Sequence, residues 1–235
     1  MIEYIEQYNR DNPSQRYKDL LKEYEKLHAH SEGMFNGRSL IRFAGPLKQI
    51  IKKHGCETLL DYGCGKGHPY TDKFHTVPDS DFLDKPIHEF WGIKDVTLYD
   101  PGEEEHNKLP TGVYDIVVNT DVLEHVPYQD LAWVIKEILN YSTNVVFLNI
   151  CCLPAMKHFP NGENVHVSLY PVEEWLQFIA RISVDYPYLT IYVYADDKNN
   201  DKKRLNAYKI IPRPTIIPLK TAPKKDYKSE LQRWD

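Results

Sequence analysis

Cysteine is scarce in this chain and poorly placed for structural use. The four thiols are Cys56, Cys64, Cys151 and Cys152; none forms a C-x-x-C pair, and adjacent Cys151 and Cys152 cannot readily bridge each other. A disulfide framework and a thiolate zinc site are therefore not expected. Long apolar runs are missing too, none approaching the roughly 20 residues needed to cross a membrane. An excess of positive charge is also absent: 29 Lys and Arg stand against 34 Asp and Glu, a formal −5. No global basic field draws the protein to nucleic acid, although a local basic face is compatible with that total. The opening residues, MIEYIEQYNRDN, are acidic and polar, unlike a signal peptide. Together these point to a reduced, cytoplasmic protein with no membrane partner. No heptad pattern is long enough to indicate an oligomeric state.

Apolar residues make up 42% of the 235 and aromatic residues 12%, enough for a full core and a ring-lined small-molecule cleft. Tyr17, Leu20, Leu21, Tyr24 and Leu27 form a helical stripe after Pro13-Ser14, and a second helix is expected over about 39–54. Pro46 should kink or split that helix, and Gly55 should end it. From residue 57 strands alternate with helices. Strands are expected at 58–61, 96–99, 114–118 and 144–150, with helices at about 128–140 and from Pro171. The runs 189–194 and 205–211 flank a polar loop and read as a hairpin. The expected fold is α/β, with a Rossmann-like, mainly parallel seven-stranded sheet flanked by helices, an N-terminal helical extension and a C-terminal β-hairpin. One of the seven strands should fall between Pro101 and Pro110, where its signal is weak. Beyond Pro212 the Pro- and Lys-rich tail is expected to be extended or mobile.

The chemistry-bearing segment is Leu59-Leu60-Asp61-Tyr62-Gly63-Cys64-Gly65-Lys66-Gly67. A strand feeding G-x-G-x-G lets backbone pass close under a ligand, but a glycine triplet alone would equally serve a dinucleotide. Asp61 tilts the choice, because its carboxylate repels a pyrophosphate yet suits the ammonium of a methionine moiety. Asp100 ends Val96-Thr97-Leu98-Tyr99 and is placed to accept hydrogen bonds from both hydroxyls of a ribose; as a turn residue before Pro101-Gly102 it would need no ligand.

D-Y-G-C-G-K-G, then L-Y-D, then Y-D-I-V-V-N-T-D-V-L-E-H-V-P resembles the class I S-adenosylmethionine-dependent methyltransferases over roughly residues 35–211. It is closest to a bacterial and phage methyltransferase-like subgroup with D-Y-G-C-G-K-G and a later G-x-N-x-H segment. The resemblance implies a helical lid or cover over 1–55, an S-adenosylmethionine-binding methyltransferase domain over 56–211 and a tail over 212–235. It assigns the methionine end of the cofactor to Asp61, Gly63, Gly65 and Gly67, and the ribose to Asp100. Asn119, Thr120 and Asp121 would line the floor near the sulfonium. One departure is the 33 residues from Gly67 to Asp100, where around 20 are usual. The prolines 69, 78 and 86 in that stretch suit a loop or short helices better than a long helix.

Methyl transfer needs an aligned nucleophile and, for a hydroxyl or protonated amine, a base. Asp121, His125 and His166 are the candidates. Asp121, Glu124 and His125 would share one face if the segment were helical. With His166 they could hold Mg2+ or Mn2+ and lower an acceptor hydroxyl's pKa. This D-x-x-E-H with a later His is similar to the E-x-x-E-H and later His of terminal 2'-O-methyltransferases of small RNAs. The alternative is structural, with the carboxylate capping the next helix and the imidazole packing beneath a loop. Lys157, Asn161 and Asn164 lie on a loop placed to border an acceptor, for which a polyol, sugar or phosphate is suitable. His28, His30, His54, His75, His88 and His106 are expected to be solvated or packed.

The leading expectation is methyl transfer to oxygen or nitrogen of a small or carbohydrate-like acceptor. Metal-assisted RNA 2'-O-methylation and a non-catalytic cofactor-binding regulatory module are the alternatives.

Overall fold

The structure, a computed structural model, describes residues 2–30, 33, 35–71, 85–199, 202–211 and 215–219. The middle of the 68–91 stretch and most of the tail lie outside them. The helices are α1 (Gln15–His30), α2 (Ala44–His54), α3 (His68–Thr71), α4 (Ile87–Trp91), α5 (Leu131–Asn140) and α6 (Val172–Ser183). The strands are β1 (Thr58–Tyr62), β2 (Asp95–Tyr99), β3 (Tyr114–Thr120), β4 (Ser142–Cys151), β5 (Thr190–Asn199), β6 (Lys202–Ile211) and β7 (Thr215–Leu219).

They form one seven-stranded sheet in the order β2-β1-β3-β4-β5-β6-β7. The first five strands are mutually parallel, and β6 and β7 continue as antiparallel neighbours. This is a Rossmann-like α/β fold. The strand order reverses between β1 and β3, which makes the crevice at their carboxyl ends a topological switch point.

Local sequence explains the elements. β1, β3 and β4 read as nearly unbroken apolar runs because helices cover both faces of the parallel part. On one face α5 and α6 bury Leu131, Ile135, Ile138, Trp175 and Ile179 against Leu60, Val117 and Val146. On the other, Leu40, Phe43, Leu47 and Ile51 cover Leu59, Ile116, Val118 and Phe147. Pro46 splits the second expected helix: a 3-10 helix runs from Arg38 to Phe43, and α2 then begins with Pro46 in its first turn, where a missing N–H costs nothing. Gly55, at φ 65°, closes α2 in a left-handed cap after Lys52, Lys53 and His54.

Two expectations need correction. No strand forms between Pro101 and Pro110; Glu104–His106 is a short 3-10 helix, and β2 remains the sheet edge. The seventh strand is instead β7, inside the segment read as an extended tail, and Pro218 there is compatible with an edge strand. The hairpin strands also run farther than expected, to Asn199 and from Lys202.

Before α1, residues 2–14 cross the face that carries α5 and α6. Ile2 is buried there, and Tyr4 packs against Phe178. Arg10 pairs with Glu137 and donates to the hydroxyls of Tyr99 (3.0 Å) and Tyr62 (2.9 Å). Ser14 caps α1 by accepting from Tyr17 N, and Asp130 holds both Ser14 and the Trp133 indole. Among the described residues no helix is long and apolar enough to cross a membrane.

Candidate functional site at the carboxyl edge of the sheet

The strand ends place the glycine loop, Asp100 and the segment after β3 around the switch point. Asp61 is the fourth residue of β1, paired in register with Leu98 and Val118. It is buried; Tyr70 OH donates to Oδ2 at 2.9 Å, while Oδ1 has no partner among the described residues. Burial pushes its carboxyl up to about 7, with Asp100 adding to the rise. Asn119, on the adjacent strand β3 and one residue past Asp61's partner Val118, donates Nδ2 to Tyr62 O at 2.6 Å and leaves Oδ1 without a partner among the described residues. Thr120 is buried beside it, in register with Asn149 of β4. Asn149 spends its Nδ2 on Tyr194 O and Asp196, and its Oδ1 is likewise unpartnered. Sequence reading passed over Asn149, although an amide inside the apolar run Val145–Ile150 was a signal.

Asp100 takes Gly65 N at 2.9 Å and Gly102 N at 2.8 Å, one on each oxygen. Burial holds its carboxyl above the ordinary range, opposed by the His28 ring and the two amides. His28 is packed rather than solvated: it stacks on Phe35 at 4.7 Å and meets Glu103 at 2.9 Å.

The glycines serve a purpose the sequence did not reveal. A Cβ on Gly65, at φ 55°, would come within 1.9 Å of Phe35 O, and one on Gly63 within 2.2 Å of Val122. The chain's own Phe35–Gly37 segment thus closes over the loop, tied by Lys66 N to Phe35 O and His68 N to Asn36 O. The close approach is made by protein.

The expected shared face of Asp121, Glu124 and His125 does not form. Asp121 has φ 54° and precedes a 3-10 helix, Leu123–His125, so the α-helical spacing does not apply. His125 is fixed beneath the 155–166 loop, its Nδ1 at 2.8 Å from Tyr24 OH and 3.0 Å from Val165 O. Burial and then the neighbouring His166 ring push its pKa down to about 3, which makes it a poor base. Glu124 does not cap α5; its Oε1 accepts Cys151 N at 2.8 Å, fastening the end of β4. Its Oε2 is buried without a partner, and burial beside Asp121 raises its carboxyl well above the ordinary range.

Of the four expected metal ligands, Glu124 and His166 fall in one group with Cys151, while the His125 ring packs on His166 at 4.7 Å between centroids with its Nδ1 against Tyr24 OH and Val165 O. One ligand atom from each of Glu124, Cys151 and His166 lies within 4.8 Å of the others. His166 donates Nδ1–H to Leu153 O at 2.6 Å, which leaves Nε2 with the ring's lone pair. Asp121 accepts from Ser39, and burial raises its carboxyl while nearby Arg42 opposes the rise. Arg42 itself is paired with Asp196 at 2.8 Å.

The loop residues read as acceptor contacts divide. Asn164 exchanges hydrogen bonds with Ala155 in both directions and also receives His166 N; Asn161 takes Glu163 N. The Asn164 amide and the Asn161 Oδ1 thus fold the loop. Lys157 is exposed, with its ammonium 5.5 Å from the Phe35 ring. Helix α1 lies along this edge through Tyr24, His28 and an Arg16–Glu163 ion pair.

Comparison with protein-family models, curated proteins and solved structures finds no match to this chain.

Proposed function

We propose that this chain is an S-adenosylmethionine-dependent methyltransferase acting on oxygen or nitrogen of a small or carbohydrate-like acceptor. One observation carries the reading: the unpartnered buried atoms Asp61 Oδ1 and Asn119 Oδ1 at the switch point are both acceptors. Buried acceptors require donors, and a carboxylate prefers a cation. The methionine ammonium supplies both, whereas a dinucleotide pyrophosphate would meet Asp61 as a like charge.

The residues present fit the cofactor. Asp61 would receive the ammonium, with Asn119 beside it. Each Asp100 oxygen has a second lone pair beyond the amide it accepts, which suits a ribose diol. When bound, the cofactor supplies a methyl group activated by the positive sulfonium. On the acceptor side, His166 rather than His125 is suited to take a proton, because its Nε2 remains free for that purpose while Nδ1–H is held by Leu153 O.

The test is calorimetric titration of the whole chain with S-adenosylmethionine and, separately, NAD. S-adenosylmethionine alone should bind, and Asp100→Ala should weaken it at least tenfold, about 1.4 kcal/mol. Failure to bind S-adenosylmethionine, or preference for NAD, would overturn the reading.

A further inference from the structure

We propose that Glu124, Cys151 and His166 form a three-ligand site for a zinc-class divalent cation. The three come from separate segments: the 3-10 helix after β3, the last residue of β4 and the 155–166 loop. Cysteine spacing gave no hint of it, because a single thiol joins an imidazole and a carboxylate that are distant in sequence.

Their ligand atoms lie within 4.8 Å of one another. A tetrahedral zinc with bonds of about 2.0–2.3 Å holds its ligands roughly 3.3–3.7 Å apart, so closure needs a contraction of about an ångström. Small side-chain rotations supply that.

Three further observations point to a cation. Glu124 is fully buried, and its Oε2 has no partner among the described residues. His166 is held as metal-ligating histidines are, with one ring N–H on a backbone carbonyl and the other nitrogen carrying the lone pair. Asp121 and Asp196 also act electrostatically on this cluster, while the nearby Arg42 is paired with Asp196. Three carboxyl groups face one guanidinium here, and burial holds those of Asp121 and Glu124 toward the neutral form, which a divalent ion would reverse.

The mixed S, N and O donor set favours zinc or cobalt over magnesium. Cys151 and His166 are only half-buried, so a fourth position can open to water or to an acceptor oxygen. A cation there would take the His166 lone pair and would lower the pKa of a bound acceptor hydroxyl, whose proton would then pass to water rather than to the imidazole. The site does not depend on the cofactor reading, and its test uses metal alone.

The full chain, stripped with chelator and kept reduced, is titrated with Co2+. One equivalent should bind, with the ultraviolet charge-transfer band of a cobalt thiolate, and Zn2+ should displace it. Cys151→Ser should abolish the band, and Cys152→Ser should leave it intact. Glu124→Gln keeps an acceptor for Cys151 N, and His166→Ala changes a half-buried ring; each should weaken Co2+ binding at least tenfold with unchanged far-ultraviolet circular dichroism. No band in the wild-type chain, a band surviving Cys151→Ser, or a band lost in Cys152→Ser would overturn the proposal.

Discussion

Asp61 and Tyr62 are neighbours in β1, and Tyr99 and Asp100 adjoin at the end of β2, yet the two pairs serve opposite kinds of polar cluster. On the face toward α5, the Tyr62 and Tyr99 hydroxyls join Arg10 and Glu137 in a closed set. Arg10 reaches both hydroxyls and Glu137, Tyr62 OH donates to Glu137 at 2.8 Å, and the guanidinium lies over the Tyr99 and Trp133 rings. Donors meet acceptors, and cation meets anion. At the carboxyl edge, Asp61, Asn119, Glu124 and Asn149 each keep a buried oxygen that no donor among the described residues reaches. A closed cluster holds a fold together, whereas an open one waits for a ligand's donors. The same pleat delivers both, because successive side chains of a strand point to opposite faces.

Breaking the closed cluster should give the largest effect. Arg10→Met leaves Glu137 and two tyrosine hydroxyls without their cation and should cost about 4 kcal/mol in urea unfolding. The double variant Arg10→Met with Glu137→Leu should recover much of it. A single-variant loss below about 1 kcal/mol would mean that the N-terminal segment is not a structural clamp.

Next is the loop that divides the two clusters. Gly65→Ala forces φ 55° on an L side chain and drives a Cβ toward Phe35 O. About 3 kcal/mol should be lost, measurable as an earlier unfolding midpoint.

The open cluster predicts a gain instead. Asp61 titrates near 7 in the fold against an ordinary 3.8. Its contribution to stability is therefore fully present below pH 3.8 and is lost as the pH rises to 7, with a limit of about 4 kcal/mol. Asp61→Asn should stabilise the chain by about 2 kcal/mol at pH 8, half that limit, and by almost nothing at pH 4. Equal effects at both values would contradict the burial cost assigned to Asp61. The same titration sharpens the ligand reading. An ammonium needs the ionised carboxylate, so S-adenosylmethionine affinity should fall toward tenfold per pH unit below about 7. That is about 1.4 kcal/mol per unit by calorimetry. A flat profile would separate Asp61 from ligand binding.

The regular elements were legible because their signals are periodic or continuous. The α5 stripe at i, i+3 and i+4 and the apolar runs of β3 and β4 could hardly be read otherwise. β7 was hidden by Pro218 and the prolines around it, and the N-terminal segment by its polarity, since Arg10 is half-buried only through partners more than 50 residues away. The positions of Asp61, Asn119 and Asp100 at or just beyond strand ends were readable. The grouping of His166 with Cys151 was not, because it depends on how the 155–166 loop folds back on its own asparagine amides. The expected helical face of Asp121 failed for a similar local reason, a left-handed backbone that no spacing rule anticipates.

That left-handed residue bears on how such a chain can be altered. Asp121 is one of two non-glycine residues with positive φ among those described, the other being Phe35. Glycine at 121 would relieve about 1 kcal/mol of backbone strain. A selection for stability alone would therefore drift toward glycine there, and each such drift would remove a carboxylate from the edge where Arg42 and His166 meet it. Thermal hardiness and an intact acceptor edge are, at this one position, opposing demands on a single codon.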